Sequence, residues 1–228
     1  MKSNVFIVIP AYNEDHEVVR SVIEGVVNEG FCNIIVVDDG SEEEIKQEWW
    51  RDISCLPIVL RHVYNLGKGA AVRTGVQKAR SLGADVIVTF DADGQHDPRD
   101  IKLMVRKIEK GYDVVLGRRF FGLKNMPLYN ICANKIANFF TWIFCGLRVE
   151  DSQCGFRAYG PRSFPIILNT QSSRYEYESE IIREIGRHDL SYVEISVQAI
   201  YTTYSKNKKT KQDFWNGLKT LFRIGFSQ

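Results

Sequence analysis

Two aspartates stand one residue apart immediately after a short apolar run in this chain. The run covers residues 86–90, and Asp91 and Asp93 follow it with Ala92 between them. Such a run is typical of a buried parallel strand, and open α/β sheets bind ligands at the carboxyl ends of these strands. Paired carboxylates at that edge suit Mg²⁺ or Mn²⁺ held between the protein and a substrate diphosphate. The segment therefore predicts a divalent-metal site that serves a nucleotide-activated substrate.

The first apolar run of the chain also ends in residues with binding chemistry. Pro10 interrupts the strand ladder after Ile9 and leaves the following backbone free to face a ligand. Tyr12 could lay its ring against a nucleobase, and Glu14 opens the next helix. The alternative is that this segment is only a turn from strand to helix.

Two further segments could contact a nucleotide. Asp39, after the second apolar run, could accept a hydrogen bond from a ribose hydroxyl or a base N–H, or it could cap the next helix. The glycines of residues 65–75 permit close backbone approach at a helix start, so Lys68 could reach the nucleotide or its phosphates. This stretch lacks the spacing of a P-loop, which excludes a P-loop NTPase.

Apolar runs and helical stretches alternate along the first half of the chain. This order predicts an α/β fold with a mostly parallel sheet and right-handed crossovers. Strands are predicted at 5–9, 34–38, 57–61, 86–90 and 114–117, and helices are predicted to begin near Glu14, Glu42, Lys68 and Pro98. Asp97 is the expected N-cap of the last of these helices. In the second half, strands are predicted around 156–159 and 191–201, with a helix at 177–187.

Two stretches are predicted to be amphipathic helices whose roles stay open. Residues 127–147 form a broadly apolar helix that is either buried on several sides or lies against a membrane. Residues 212–226 form a basic, aromatic-rich helix that either anchors the chain at a membrane interface or packs on the sheet. Residues 200–228 carry six basic residues and one acidic residue, a local charge of +5, whereas the whole chain has a net charge of +2. That small net charge does not indicate a nucleic-acid partner.

The composition is that of an ordinary globular protein, with 44% hydrophobic and 25% charged residues. The five cysteines are scattered and include no Cys-x-x-Cys pair, which argues for a reducing compartment and against a disulfide framework or a zinc site. No signal peptide is predicted, and no apolar run reaches the roughly 18 residues that span a bilayer. The expected location is cytoplasmic, with peripheral contact at the cytosolic face of a membrane as the open alternative.

Taken in order, these segments resemble the signature blocks of the family 2 glycosyltransferases, which have the GT-A fold. The matching blocks are residues 9–14, 37–41, 65–75 and 91–97, and the resemblance covers residues 4–204. It implies a catalytic domain at 1–204 and a basic amphipathic segment at 205–228. Within the family, residues 91–97, 117–119 and 151–157 are similar to those of polyprenyl-phosphate (dolichol-phosphate) hexose synthases.

The resemblance implies a role for each candidate site residue. The nucleotide is expected to contact Pro10, Ala11, Tyr12, Glu14, Asp39, Lys68, Asp91, Ala92 and Asp93. The metal, Mg²⁺ or Mn²⁺, is expected to lie among Asp91, Asp93 and Gln95, with Asp93 and Gln95 as its direct ligands. Arg119 and Arg157 suit the acceptor phosphate, because a guanidinium pairs with two phosphate oxygens. Asp151 or Gln153 is expected to position sugar hydroxyls.

The implied activity is inverting transfer of a hexose from a UDP- or GDP-sugar to a polyprenyl phosphate. A divalent cation would stabilise the growing charge of the nucleoside diphosphate, and an acceptor phosphate that is already anionic needs no strong base. One alternative keeps the enzyme class and changes the acceptor to a soluble sugar or small molecule. Another is a sugar-nucleotide binding module without catalysis. The sequence leaves the donor base, the sugar and the oligomeric state open.

Overall fold

The fold is built around one seven-stranded sheet. The structure is a computed structural model that describes residues 3–120, 142–143, 146–174 and 176–200. The strands are β1 Val5–Ala11, β2 Ile34–Asp38, β3 Ile58–Arg61, β4 Val86–Thr89, β5 Val114–Phe120, β6 Arg157–Tyr159 and β7 Tyr192–Gln198. The helices are α1 His16–Asn28, α2 Lys68–Ser81, α3 Asp100–Glu109, α4 Phe164–Leu168 and α5 Glu176–Arg187. Short 3₁₀ turns cover Gln47–Trp50 and Pro161–Ser163.

One strand runs against the direction of the rest of the sheet. The order is β3-β2-β1-β4-β6-β5-β7, and β6 is antiparallel to both of its neighbours. The other pairs are parallel, so the carboxyl ends of their strands meet at one edge of the sheet. Because β6 is reversed, the loop that leads into it reaches the same edge. The sheet is thus mostly parallel, as the alternation of strands and helices predicts.

Apolar side chains cover both faces of the sheet. In β1, Ile7 and Ile9 belong to one buried cluster, whereas Phe6 and Val8 belong to the other. The first cluster includes apolar residues of α1 and α3, and the second includes those of α2 and α5. Strands covered on both faces are continuously apolar, which explains why these runs were recognisable in the sequence.

The helix predicted near Glu42 is wrong, because only the 3₁₀ turn Gln47–Trp50 forms there. The Asp38 carboxylate accepts hydrogen bonds from the backbone N–H groups of Ser41 and Ile45, at 2.9 and 3.2 Å. These bonds hold the chain in a loop where a helix would otherwise begin.

The expected cap at Asp97 is also corrected. Helix α3 begins at Asp100, and the Asp97 side chain accepts from the backbone N–H of Arg99 in the preceding turn. Helix α4 was not predicted. The predicted helix at 212–226 lies outside the described residues, and so does the one at 127–147 apart from residues 142–143, which are helical, and residues 146–147, which are not. The domain limits at 204 and 205 stay predictions.

The prediction against disulfide bonding is wrong, because Cys32 and Cys55 are joined by a disulfide. Cys32 precedes β2 and Cys55 precedes β3. These strands are parallel neighbours, so their incoming segments lie side by side although the cysteines are 23 residues apart. The expectation of a reducing compartment rested on unpaired cysteines and loses its support. None of the helices among the described residues has the length and apolar character needed to cross a bilayer.

Candidate active site

The carboxyl edge of the sheet brings together most of the predicted site residues. Tyr12 follows β1 with 43% of its surface exposed, whereas Ala11 and Ala92 are buried beside it. Asp91 and Asp93 follow β4, and the loop before β6 brings Gly155 against Asp91. The neighbouring residues Pro10 and Glu14 are partly buried. The predicted convergence of these segments at one sheet edge is therefore found in the structure.

Asp91 is held by a lysine from the start of α2. Its Oδ1 lies 2.6 Å from Lys68 Nζ, and the same ammonium lies 3.1 Å from Glu178 Oε1 on α5. Burial alone would raise the pKa of Asp91, but the Lys68 charge and His96 hold it well below its usual range. Burial would likewise lower the pKa of Lys68, and the two carboxylates raise it instead. The Asp91 carboxylate and the Lys68 ammonium are therefore both charged.

Asp93 is compensated less than Asp91, because the His96 and Lys68 charges offset its burial only in part. Its Oδ1 accepts a hydrogen bond from the backbone N–H of Gln95 at 3.0 Å. Burial and the neighbouring Asp91 charge raise the pKa of Asp93 above its usual value. The two aspartates therefore differ in electrostatic setting, and Asp93 is the one that a cation would stabilise most.

The donor set is suited to a divalent cation that is also bound by substrate. The described residues contain no group of three His, Cys, Asp or Glu side chains that could hold a metal by themselves. Two carboxylates with the amide oxygen of Gln95 are fewer ligands than an all-protein cage requires. Mg²⁺ commonly takes one or two carboxylates and completes its shell with water and substrate phosphates. The raised pKa of Asp93 is consistent with such a site.

His96 is a site residue that the sequence reasoning did not single out. It is 5% exposed, and its Nε2 lies 3.3 Å from Asp91 Oδ2. The rings of Phe90 and Phe156 pack against its imidazole, with centroids 5.8 and 5.1 Å away. Its position one residue after Gln95, inside the aspartate motif, was the available signal.

Asp39 ties down a loop of the protein. It is 2% exposed, and its carboxylate accepts from the backbone N–H groups of Leu66 and Gly67 at 3.0 and 2.7 Å. Its Oδ1 also lies 2.6 Å from His62 Nδ1. These contacts fix the loop that leads into α2 and so place Lys68. The helix-cap alternative is wrong, because no helix begins beside Asp39, whereas the ribose contact stays a prediction.

Arg119 and Asp151, predicted for different roles, are bonded to each other. The guanidinium donates to both Asp151 carboxylate oxygens, with Nε–Oδ2 and Nη2–Oδ1 distances of 2.7 and 2.8 Å. The backbone N–H of Arg119 donates to the same carboxylate at 3.1 Å. Asp151 is 4% exposed. Asp151 therefore orients Arg119 at the carboxyl end of β5. Because both of its oxygens accept from Arg119, Asp151 is poorly placed for the predicted sugar contact.

The predicted contact of Arg157 with an acceptor phosphate is not supported by the structure. Arg157 is 2% exposed, and its guanidinium donates to the backbone carbonyls of Ser152, Cys154 and Glu178 at 2.9–3.1 Å. It therefore braces the loop before β6 against α5. Gln153, on that loop, is partly buried and lies 3.5 Å from the Ser179 hydroxyl.

Comparison with known proteins identifies the family to which the chain is similar. The model of glycosyl transferase family 2 matches residues 6–164. An uncharacterized protein of Methanocaldococcus jannaschii is 37% identical, over 98% of this chain and 91% of its own. A UDP-N-acetylglucosamine–dolichyl-phosphate N-acetylglucosaminyltransferase of Methanococcus voltae is 35% identical, over 96% of this chain and 94% of its own.

A solved structure confirms the fold at greater distance. Glucosyl-3-phosphoglycerate synthase of Mycobacterium tuberculosis, crystallised with Mn²⁺, UDP-glucose and phosphoglyceric acid, superposes with a TM-score of 0.69 at 17% identity. The match covers 98% of this chain and 80% of that one. The fold is thus that of the GT-A class of sugar-transferring enzymes. The chain belongs to glycosyl transferase family 2, and it is a glycosyltransferase.

Proposed function

We propose that this enzyme transfers a sugar from a nucleoside-diphosphate sugar to the phosphate of a polyprenol, with Mg²⁺ or Mn²⁺ and with inversion at the anomeric carbon. The observation that carries the proposal is the 35% identity to the dolichyl-phosphate transferase of M. voltae over nearly the full length of both chains. That relative makes a UDP-sugar the first donor to test. The observed grouping of Asp91, Lys68 and Asp93 supports a diphosphate site.

The proposed roles follow from the contacts at the sheet edge. Asp93, Asp91 and Gln95 would hold the cation, which when bound stabilises negative charge on the departing nucleoside diphosphate. Tyr12, exposed after β1, would face the nucleobase. Arg119 is held in a fixed orientation by Asp151, and an oriented guanidinium pairs well with the oxygens of an acceptor phosphate.

A lipid acceptor would require the enzyme to work at a membrane surface. We expect peripheral contact at the cytosolic face, carried by the basic residues after position 205. Lysines near an anionic surface contribute about 1 kcal/mol each, so Lys206, Lys208, Lys209 and Lys211 would give reversible attachment.

The test is a screen of UDP- and GDP-sugars with Mg²⁺ or Mn²⁺, with a polyprenyl phosphate and with soluble acceptors. We expect metal-dependent formation of a polyprenyl-phosphate sugar and sedimentation with anionic vesicles at low salt. Transfer to soluble acceptors alone, without vesicle binding, would contradict the lipid acceptor. Binding of a nucleotide sugar without turnover on any acceptor would favour the non-catalytic alternative.

A further inference from the structure

Glu178 is a buried carboxylate that none of the roles above uses. It lies in the first turn of α5, its side chain is 9% exposed, and its Oε1 is 3.1 Å from Lys68 Nζ. Lys68 itself begins α2 and lies 2.6 Å from Asp91 at the end of β4. One ammonium is therefore shared by two carboxylates that come from different parts of the chain.

The position of this ammonium is tightly bounded. A Cβ atom on Gly155 would lie 2.3 Å from Lys68 Nζ and 2.9 Å from Asp91 Oδ2, so the backbone of the loop before β6 closes directly over the ion pair. Arg157 donates to the backbone carbonyl of Glu178 at 3.1 Å and so holds the start of α5 in place. The backbone contacts on both sides of the ion pair thus hold the Glu178 side chain against Lys68.

The charges at this point do not cancel. Asp91, Asp93 and Glu178 supply three carboxylates, Lys68 supplies one ammonium, and Arg157, whose charge also interacts with Glu178, supplies one guanidinium, which leaves a formal charge of −1. A lysine paired fully with Asp91 would compete with a divalent cation for that carboxylate. A second carboxylate on the far side of the ammonium draws part of its charge away and also adds to the attraction for a cation.

We propose that Glu178 is a positioning residue for the transfer reaction: by sharing Lys68 with Asp91, it keeps Asp91 able to attract the divalent cation. This inference rests on the proposed function, because it assumes that the cation binds beside Asp91 and Asp93. Lys68 then has two opposed effects: it weakens cation binding, and it keeps a positive charge beside the nucleotide diphosphate.

The test is Mn²⁺ binding to the enzyme without nucleotide, measured by the loss of the free-ion signal in electron paramagnetic resonance. Glu178→Gln should weaken Mn²⁺ binding about tenfold, and Lys68→Met should tighten it. Because Glu178 acts through Lys68, adding Glu178→Gln to Lys68→Met should cost less than about threefold. Glu184→Gln, on the same helix but paired with Arg183, Arg187 and His188, is the matched control and should bind Mn²⁺ like the parent.

Lys68→Met separates positioning from a purely structural role. Loss of structure would weaken Mn²⁺ binding in every variant, whereas the inference requires opposite signs for Glu178→Gln and Lys68→Met. If Glu178→Gln does not fold, as judged by circular dichroism, the sign of the Lys68→Met effect decides, and weaker binding there overturns the inference. Unchanged Mn²⁺ affinity in a folded Glu178→Gln variant also overturns it.

The same measurements distinguish this inference from the proposed function. A parent enzyme that binds no Mn²⁺ at millimolar concentration overturns the inference, but the proposed function survives if that enzyme still makes a polyprenyl-phosphate sugar. The expected pattern of Mn²⁺ binding in an enzyme that transfers sugar to no acceptor supports the sharing of Lys68 and counts against the proposed function.

Discussion

At the scale of single residues, the two aspartates after β4 are electrostatically unlike although they are one residue apart. Lys68 and His96 hold the pKa of Asp91 low, whereas burial and Asp91 itself raise the pKa of Asp93. A charged Asp93 is therefore costly to the folded protein until a cation neutralises it. Such a cost is common where a site is arranged for a ligand and not for stability.

Asp93→Asn is expected to separate activity from stability. Metal-dependent transfer should fall at least a hundredfold, because the amide does not supply the missing charge. At neutral pH the melting temperature should rise, because the amide carries no charge that burial and Asp91 would disfavour. A carboxyl group whose pKa is raised by folding lowers stability as pH rises from its unfolded pKa, about 4, to its higher folded pKa, so the gain should be complete above the folded pKa and disappear below about pH 4.

Two measurements check this prediction. One is transfer activity, and the other is thermal melting across pH, carried out without added metal. Asp100→Asn is a suitable control, because burial also raises the pKa of Asp100 and its side chain accepts from Gln198 outside the aspartate pair. Full activity in Asp93→Asn would contradict the assignment of Asp93 to the cation.

Arg157→Met is expected to damage the fold. The substitution removes this donor from the buried carbonyl oxygens of Ser152 and Cys154, and each such group costs about 1–3 kcal/mol. The free energy of unfolding should fall by about 3 kcal/mol or more, as measured by urea denaturation. Arg157→Lys should recover little of it, because an ammonium does not reproduce the planar arrangement of donors. A stable Arg157→Met protein with lost activity would restore the phosphate-binding role.

At the scale of secondary-structure elements, α2 is the helix that matters most for the site. Its first residue is Lys68, and its backbone packs against β1 at Gly75. A Cβ atom on Gly75 would lie 2.3 Å from Val8 Cγ1. Glycine is therefore needed here for close packing between helix and strand, although glycine is a poor residue for the interior of a helix.

The effect of Gly75→Ala on the free energy of unfolding should depend on the residue at position 8. In the parent chain it should destabilise by about 1–3 kcal/mol, because the added methyl group overlaps Val8. In a Val8→Ala background, which removes the overlapping atoms, the same change should be neutral or stabilise by up to about 1 kcal/mol through helix propensity. Urea denaturation of the four proteins checks this, and equal effects in both backgrounds would contradict the packing argument.

At the scale of the whole molecule, the Cys32–Cys55 disulfide links the segments that enter β2 and β3. Burial raises the pKa of the Cys154 thiol to about 12, so this cysteine is a poor partner for exchange with the bond. The disulfide lies before the strands, at the end of the sheet opposite the candidate site. It is therefore expected to affect stability and not catalysis.

Cys55→Ser should lower the free energy of unfolding by about 3 kcal/mol, the value for closing a loop of this order of length. Glycosyl transfer at moderate temperature should be unchanged. Ser54→Ala, at the exposed neighbouring position, is the control for local substitution. Peptide mapping that finds Cys32 and Cys55 as free thiols in the purified protein would contradict the bond.

The sequence by itself determined the sheet and the chemistry at its edge. Strands such as β2 and β4 are apolar because both of their faces are buried, and the aspartates follow β4 directly, so local pattern was sufficient. The helix expected near Glu42 failed because a buried carboxylate, Asp38, bonds the backbone there. The helix propensity of residues 42–46 does not reveal a hydrogen bond from their backbone to a side chain elsewhere in the chain.

Only the tertiary structure decided which charged residues face one another. Lys68, Asp91 and Glu178 come from three separate segments of the chain. Cys32 and Cys55 come from two separate loops. The same holds for Arg157, whose sequence context is similar to a phosphate-binding motif but whose guanidinium is enclosed by backbone carbonyls. Local sequence determines which groups are present, whereas burial and partners depend on how distant segments pack, and these set the charge and availability of each group.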